Sequence, residues 1–117
     1  MRRPEQVAQR AIFQNFAARK TAGTVAWHCP NGGARSPIEA KIFAGLGVLR
    51  GIPDIHVVHD GKFFALELKS TKGRLSASQI ETMGALEAAG AITGTAFSLD
   101  EAIAWLEEHD LLRGRAQ

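Results

Sequence analysis

The sequence predicts an α/β domain in which a mixed β-sheet carries helices on both faces. Two apolar, β-branched or aromatic runs flank the dipeptide Asp60-Gly61, which is the strongest short signal for a β-hairpin. Helical and strand patterns follow one another in the order helix, strand, helix, hairpin, helix, strand, helix. The helix between the hairpin and the last strand predicts a crossover connection, and therefore a parallel pair of strands.

Length and composition are those of an ordinary globular protein. The 117 residues suffice for one domain over residues 1–117, and 45% of them are hydrophobic. The net charge of +2 permits nucleic-acid binding without requiring it. Cys29 is the single cysteine, so an intrachain disulfide is excluded and a reducing compartment fits. No apolar signal region opens the chain and no apolar run reaches about 18 residues, so we expect a cytoplasmic protein without membrane contact.

The helix boundaries are predicted from apolar spacing and from capping residues. Pro4 suits the first turn of a helix, and Glu5 suits its positive dipole end. An apolar face follows there, made of Val7, Ala8, Ala11, Ile12, Phe16 and Ala18. Three capping boxes mark the other helix starts, namely Ser36 with Glu39, Ser76 with Gln79, and Ser98 with Glu101. We expect helices over 4–20, 37–44, 77–89 and 99–109 and strands over 24–28, 55–59, 62–69 and 91–97.

The two-residue loop of the hairpin fixes which of its residues face each other. Val58 then faces Phe63, and Asp54 faces Glu67. Lys69 lies on the same face as Glu67, because side chains alternate along a strand. The opposite face is an apolar set suited to a core: Ile55, Val57, Phe64, Leu66 and Leu68.

Two directly opposed carboxylates, Asp54 and Glu67, repel each other and are normally destabilising. A hard divalent cation with oxygen ligands would offset that repulsion, and Lys69 adds positive charge beside it. This is the pattern of metal-dependent phosphodiester cleavage. The alternative is a solvated strand end whose three charges are ordinary surface.

Further candidate residues lie outside the hairpin, each with a plain structural alternative. His28 precedes a glycine-rich loop with Asn31 and Arg35, where backbone amides could approach a phosphate; the alternative is a connecting loop. Glu5 either favours the helix dipole or reaches a catalytic centre. Gln79 has a sufficient role in its capping box. The candidate phosphate contacts, each of which could instead be a solvated surface charge, are Arg35, Arg50, Lys62, Lys72 and Arg74.

Motifs spread over nearly the whole chain resemble those of the VRR-NUC domain, a branch of the PD-(D/E)xK nuclease superfamily. The matching pieces, in order, are Pro4-Glu5, Trp27-His28, Pro30-Asn31-Gly32-Gly33, Gly47-Val48, Gly51-Ile52-Pro53-Asp54, Glu67-Leu68-Lys69, Gly73, Leu75-Ser76-Ala77-Ser78-Gln79 and Gly90. The resemblance implies a restriction-endonuclease-like fold and a Mg²⁺- or Mn²⁺-dependent endonuclease. It implies a bacterial cell, or one infected by a phage, as the setting.

The resemblance also implies residue roles. Asp54 and Glu67 would bind the metal with the Leu68 carbonyl, Lys69 would be the catalytic lysine, Glu5 would support the metal through water, and Gln79 would belong to the site. It further implies a homodimer acting on branched DNA such as Holliday junctions. We expect an apolar face outside the intrachain core, near Trp27 or Phe43, to supply the dimer contact. Two alternatives remain open: a branched-DNA-binding module without catalysis, and a nuclease acting on RNA or on specific duplex sequences.

Overall fold

The computed structural model describes residues 3–30 and 36–114, apart from the side chains of Arg3 and Pro4. Within these ranges the helices are α1 (Arg3–Arg19), α2 (Pro37–Gly45), α3 (Ala77–Ala88) and α4 (Leu99–Glu108), and the strands are β1 (Thr24–His28), β2 (Ile55–His59), β3 (Lys62–Leu68) and β4 (Ile92–Ala96). The predicted order of elements is confirmed, and the predicted boundaries agree to within one or two residues. No helix of the described ranges combines the length and apolar character needed to cross a membrane.

Local chemistry sets the helix starts. The capping boxes of α2 and α3 form as predicted, with Ser36 and Ser76 accepting hydrogen bonds from backbone amides three residues later. The third box is only half formed, so that prediction was wrong. The side chain of Ser98 accepts from the Glu101 amide, but Glu101 Oε1 accepts from the amide of Phe97 at 3.1 Å. The Glu101 carboxylate thus satisfies the donor of the residue before the cap.

The strands form one mixed sheet in the order β1-β2-β3-β4. The first two pairings are antiparallel and the pairing of β3 with β4 is parallel, as the crossover helix α3 predicted. Within the hairpin Val58 pairs with Phe63, which confirms the predicted register. Asp60 and Gly61 both adopt positive φ angles, of 52° and 73°, and this is the turn that such a dipeptide favours.

The hydrophobic core lies on one face of the sheet, beneath α1 and α4. Ile12 and Phe16 of α1 are buried there, with Ile103 and Leu106 of α4. They pack against the predicted apolar face of the hairpin, whose members are all buried: Ile55, Val57, Phe64, Leu66 and Leu68. The other face carries Glu67, and α3 covers it there. Helices therefore flank the sheet on both faces, as predicted.

Two apolar segments do not join this core. Val7 is 63% exposed and Ala18 is also exposed, so the predicted apolar face of α1 is narrower than its sequence suggested. None of the residues of α2 is buried. Ile38 and Ile42, which follow one another at helical spacing, are 72% and 57% exposed. The described chain therefore leaves one apolar helix without an intrachain core to cover it.

Candidate active site

The carboxylates of Asp54 and Glu67 meet where β2 begins and β3 ends. Ile55 pairs with Leu66, so the next position of the ladder places Asp54 opposite Glu67, as the hairpin register predicted. Asp54 Oδ2 accepts a hydrogen bond of 3.1 Å from the backbone amide of Leu68. Lys69 Nζ lies 3.8 Å from Glu67 Oε2. The structure thus brings together the residues on which the site prediction depends.

Glu67 is a buried acid whose environment opposes its ionisation. The residue is 4% exposed, and Oε1 has no hydrogen-bond partner within the described ranges. Burial, followed by the negative charge of Asp54, raises the pKa of Glu67 to about 8, against the opposing effect of Lys69. Burial also raises the pKa of Asp54. The two acids therefore hold at least one proton near neutral pH as long as no other cation joins them.

Hydrogen bonds from residues at the end of β1 and in β2 hold the backbone around Asp54 in place. His28 Nδ1 and the amide of Cys29 both donate to the carbonyl of Asp54, at 3.0 Å and 2.7 Å. His56 Nε2 donates to the carbonyl of Pro53 at 2.9 Å. Burial lowers the pKa of His56, which keeps its ring neutral around pH 7. These contacts hold the Asp54 carboxylate at the end of the hairpin.

The sequence analysis did not single out His56 as a site residue. Its strand position opposite Ala65 could be read from the register, but its burial and its bond to Pro53 depend on the folded turn. His28 was predicted as a nucleic-acid contact. The structure gives it a position beside Asp54, and its positive charge, when present, lowers the pKa of that acid.

The loop that leads to Asp54 packs directly against the start of α3. Gly51 has a φ of +80°, and a Cβ added there would lie 2.4 Å from the carbonyl oxygen of Ser78. Thr82 Oγ1 donates to the carbonyl of Arg50 at 2.6 Å. A glycine is required at position 51 for both reasons, positive φ and close approach. The loop and α3 thereby fix the distance between Asp54 and the residues of α3.

The Gln79 side chain makes two hydrogen bonds, one within its capping box and one to the candidate site. Its Oε1 accepts a 2.8 Å hydrogen bond from the amide of Ser76, which completes the capping box. Its Nε2 donates to Glu67 Oε2 at 3.1 Å. One side chain therefore caps α3 and orients a buried carboxylate, so the helix start is part of the site.

The remaining candidates lie at the edge of the site or away from it. Glu5 lines a cavity together with Lys69, and its charge raises the pKa of Asp54. Arg50, Lys72 and Arg74 are exposed on the loops before Asp54 and after Lys69. Lys62 begins β3, five residues before Glu67 and so roughly 17 Å away along the strand. Asn31 and Arg35 lie outside the described residues.

The carboxylate oxygens at this site would suit a metal ion that takes its remaining ligands from water and substrate. Within the described ranges, no three His, Cys, Asp or Glu side chains cluster closely enough to hold a metal ion. Mg²⁺ does not need such a cage, since one or two carboxylates plus water and phosphate oxygens commonly suffice. Asp54 and Glu67 supply two carboxylates, and Glu67 Oε1, which has no hydrogen-bond partner among the described residues, is a candidate ligand.

Comparison with solved structures places the fold among VRR-NUC domains. One similar structure, described as a VRR_NUC domain protein, superposes with a TM-score of 0.74 at 20% sequence identity; the match covers 96% of this chain and 92% of that one. A second, described as a VRR_NUC domain, gives a TM-score of 0.60 at 19% identity and covers 91% of this chain and 96% of that one. No protein-family model and no curated protein matches the sequence. The fold implied by the sequence motifs is confirmed.

Proposed function

We propose that this chain, with its VRR-NUC fold, is a metal-dependent endonuclease that hydrolyses phosphodiester bonds of DNA and prefers branched substrates. One observation carries the proposal. A carboxylate pair, Asp54 and Glu67, lies at the ends of the two central strands, where Glu67 Oε1 is buried without a hydrogen-bond partner among the described residues and Lys69 Nζ lies 3.8 Å from Glu67 Oε2. Such an arrangement is destabilising by itself and becomes favourable when a divalent cation binds. The names of the structural neighbours support the nuclease assignment.

Mg²⁺ or Mn²⁺ would be held by Asp54, Glu67 and the Leu68 carbonyl. A metal at this position supplies positive charge to a phosphate and makes a bound water more acidic. The residues around it keep the ligands in place. Gln79 donates to Glu67 Oε2 and the Leu68 amide donates to Asp54 Oδ2, so one oxygen of each acid is already held in position. Glu5 adds a further negative charge, which acts on Asp54.

Lys69 is the proposed catalytic lysine. Its ammonium group lies beside the carboxylate pair and is only partly exposed, with 18% of its side chain accessible. There it can donate to the attacked phosphate and stabilise the negative charge that develops in the transition state. The electrostatic role is therefore the one we assign.

The DNA backbone would cross the site along its exposed basic loops. Arg50, Lys72 and Arg74 are exposed on either side of the carboxylate pair and are the proposed phosphate contacts. His28 joins them, because its Nδ1 donates to the Asp54 carbonyl and this bond holds the ring next to the carboxylate pair. Asn31 and Arg35 complete the predicted set and lie outside the described residues.

A homodimer is part of the proposal. Paired cuts on opposite strands of a branch need two catalytic centres, and a two-fold axis supplies them from one kind of chain. The apolar stripe of α2 offers a self-complementary contact, since Ile38, Ile42 and the capping residue Leu46 are 72%, 57% and 75% exposed. Trp27, which is 40% exposed, is a second apolar side chain available to such a contact. Sedimentation velocity over a wide concentration range, with Ile42→Glu as the disrupting variant, tests this assembly.

The experiment that tests the function is a cleavage panel. Labelled four-way junction, flap, linear duplex, single-stranded DNA and RNA are incubated with the protein and Mg²⁺, with EDTA as the control. We expect cleavage only with the metal, and fastest cleavage of the branched DNA. Binding of the junction without cleavage under any metal would support the non-catalytic module instead. Preferred cleavage of RNA, or of one duplex sequence, would replace the branched-DNA assignment.

A further inference from the structure

A cavity of about 620 Å³ lies on the side of the sheet covered by α1 and α4, and Lys69 of the candidate active site lines it. Its walls come from three places: the first turns of α1, the end of β3 with the loop after it, and the start of α4. Val7, Ala8, Leu68, Phe97 and Leu99 make most of its surface apolar. The volume falls in the range of small-ligand sites, which is about 300–1,000 Å³.

The cavity shares Lys69 with the candidate active site. Lys69 lines it, and the ammonium group of the same side chain lies 3.8 Å from Glu67 Oε2. Glu5 also lines it, and the charge of Glu5 acts on Asp54. A phosphate held beside Lys69 would therefore have its own nucleotide within reach of the cavity. Under the proposed function, the occupant is part of the substrate, because Lys69 would contact the attacked phosphate and also lines the cavity.

The chemistry of the walls suits a nucleobase. A base offers flat apolar faces that pack on aliphatic and aromatic side chains, here including Phe97. It also carries polar edges, for which Ser70 and Thr71 bring hydroxyl groups to the same cavity. A sugar or a phosphate would instead leave polar groups against apolar carbon, which is unfavourable.

We infer that this cavity binds one unpaired nucleobase next to the scissile phosphate. The inference rests on the proposed function and adds a reason for the substrate preference. A base inside a duplex must lose pairing and stacking before it can enter, whereas a base at a bulge or branch point has already lost much of both. The cavity thereby favours branched or bulged DNA over regular duplex without reading its sequence.

The test compares two short DNA duplexes of equal charge. One carries a single unpaired adenine and the other carries an abasic residue at the same place, so both present the same number of phosphates. Affinities are measured by fluorescence anisotropy with Ca²⁺ in place of Mg²⁺. We expect the wild-type chain to bind the adenine duplex about tenfold more tightly, which is the discrimination that about 1.4 kcal/mol of stacking gives.

Three variants test whether the preference for the adenine duplex depends on the cavity. Ala8→Trp fills it from α1, and we expect this variant to bind both duplexes with equal, weaker affinity. Ala17→Trp is the matched control, because Ala17 lies on the same helix but is exposed away from the cavity. It should keep the tenfold preference. Thr71→Trp, in the exposed loop at the mouth, repeats the test should Ala8→Trp fail to fold.

Each outcome has one interpretation. Equal affinity of the wild-type chain for the two duplexes overturns the inference, and so does a tenfold preference that survives in Ala8→Trp and Thr71→Trp. If Mg²⁺-dependent cleavage occurs without base discrimination, the cavity inference fails and the proposed function stands. If no nucleic acid is bound or cut, the proposed function fails and this inference fails with it.

Discussion

The two faces of the β2–β3 hairpin differ in the side chains that they bury. On the face toward α1 and α4, Ile55, Leu66 and Leu68 are at most 2% exposed and pack into a continuous core. On the other face, Glu67 is almost as buried, but it lies opposite Asp54, and its Oε1 has no hydrogen-bond partner in the part of the chain that the structure describes. Burial stabilises the first face and destabilises the second. This difference is the reason we propose that the second face binds a cation.

The largest effects should come from truncating one residue on each face. Glu67→Ala or Asp54→Ala should lower the cleavage rate more than about 1,000-fold while leaving the folded state at least as stable, since a repulsion is removed. Leu66→Ala, on the core face of the same strand, should cost about 2–5 kcal/mol of unfolding free energy. Urea unfolding together with cleavage rates checks both. Mg²⁺-dependent cleavage retained by both acid variants would refute the site assignment.

The pH dependence of stability should reveal the acid pair. Between the ordinary pKa of 4.5 and the folded value of about 8, the folded chain holds a proton on Glu67 that the unfolded chain has lost. Stability of the metal-free protein should therefore fall as pH rises from 5 to 8, by up to about 4 kcal/mol. The raised pKa of Asp54 acts in the same direction.

Glu67→Gln is the matched control for this pH effect, because it keeps the shape of the side chain and removes its charge. Chemical denaturation in EDTA at several pH values should give a much flatter profile for the variant than for the wild-type chain. Identical slopes in the two proteins would mean that Glu67 does not titrate in this range.

A smaller effect should follow from crowding the loop before Asp54. Gly51→Ala places a Cβ 2.4 Å from the Ser78 carbonyl oxygen and forces a positive φ on alanine, for a loss of about 2–3 kcal/mol. Cleavage should fall as well, because the loop moves away from α3. Gly61→Ala is the control: it has a positive φ, of 73°, but open space around the added atom, so it should cost only about 1 kcal/mol. Thermal unfolding of the two variants distinguishes clash from backbone strain.

The smallest change in stability should come from Gln79→Glu. Glutamate keeps the capping role toward the Ser76 amide but replaces the Nε2 donor of Glu67 by a negative charge. We expect cleavage to fall about 10–100-fold with less than about 0.5 kcal/mol change in stability. Unchanged cleavage would leave Gln79 with its capping role alone.

Local chemistry made much of the fold predictable from the sequence. Asp60-Gly61 determined the hairpin turn and with it the register that brings Asp54 opposite Glu67. The capping boxes at Ser36 and Ser76 located two helix starts to the residue. These features depend only on neighbours along the chain, so the sequence carries them directly.

Features that depend on tertiary contact were not predictable in this way. The burial of His56 and its bond to Pro53 require the folded turn, and the close approach of Gly51 to Ser78 requires α3 to be in place. The exposure of Val7 and of α2 was missed for the same reason: apolar spacing predicts a face but does not say whether the chain covers it.

Binding of Mn²⁺ tests the central claim most directly, because it asks whether the charged face of the hairpin holds a metal. Free Mn²⁺ is followed by electron paramagnetic resonance at pH 8 as protein is added. The account predicts that the wild-type chain lowers the signal of free Mn²⁺. Glu81→Ala, the control that removes an exposed acid of α3, should lower the signal equally. Asp54→Ala and Glu67→Ala should leave the signal at the value measured in buffer. Uptake of Mn²⁺ by both acid variants equal to that of the wild-type chain would contradict the account.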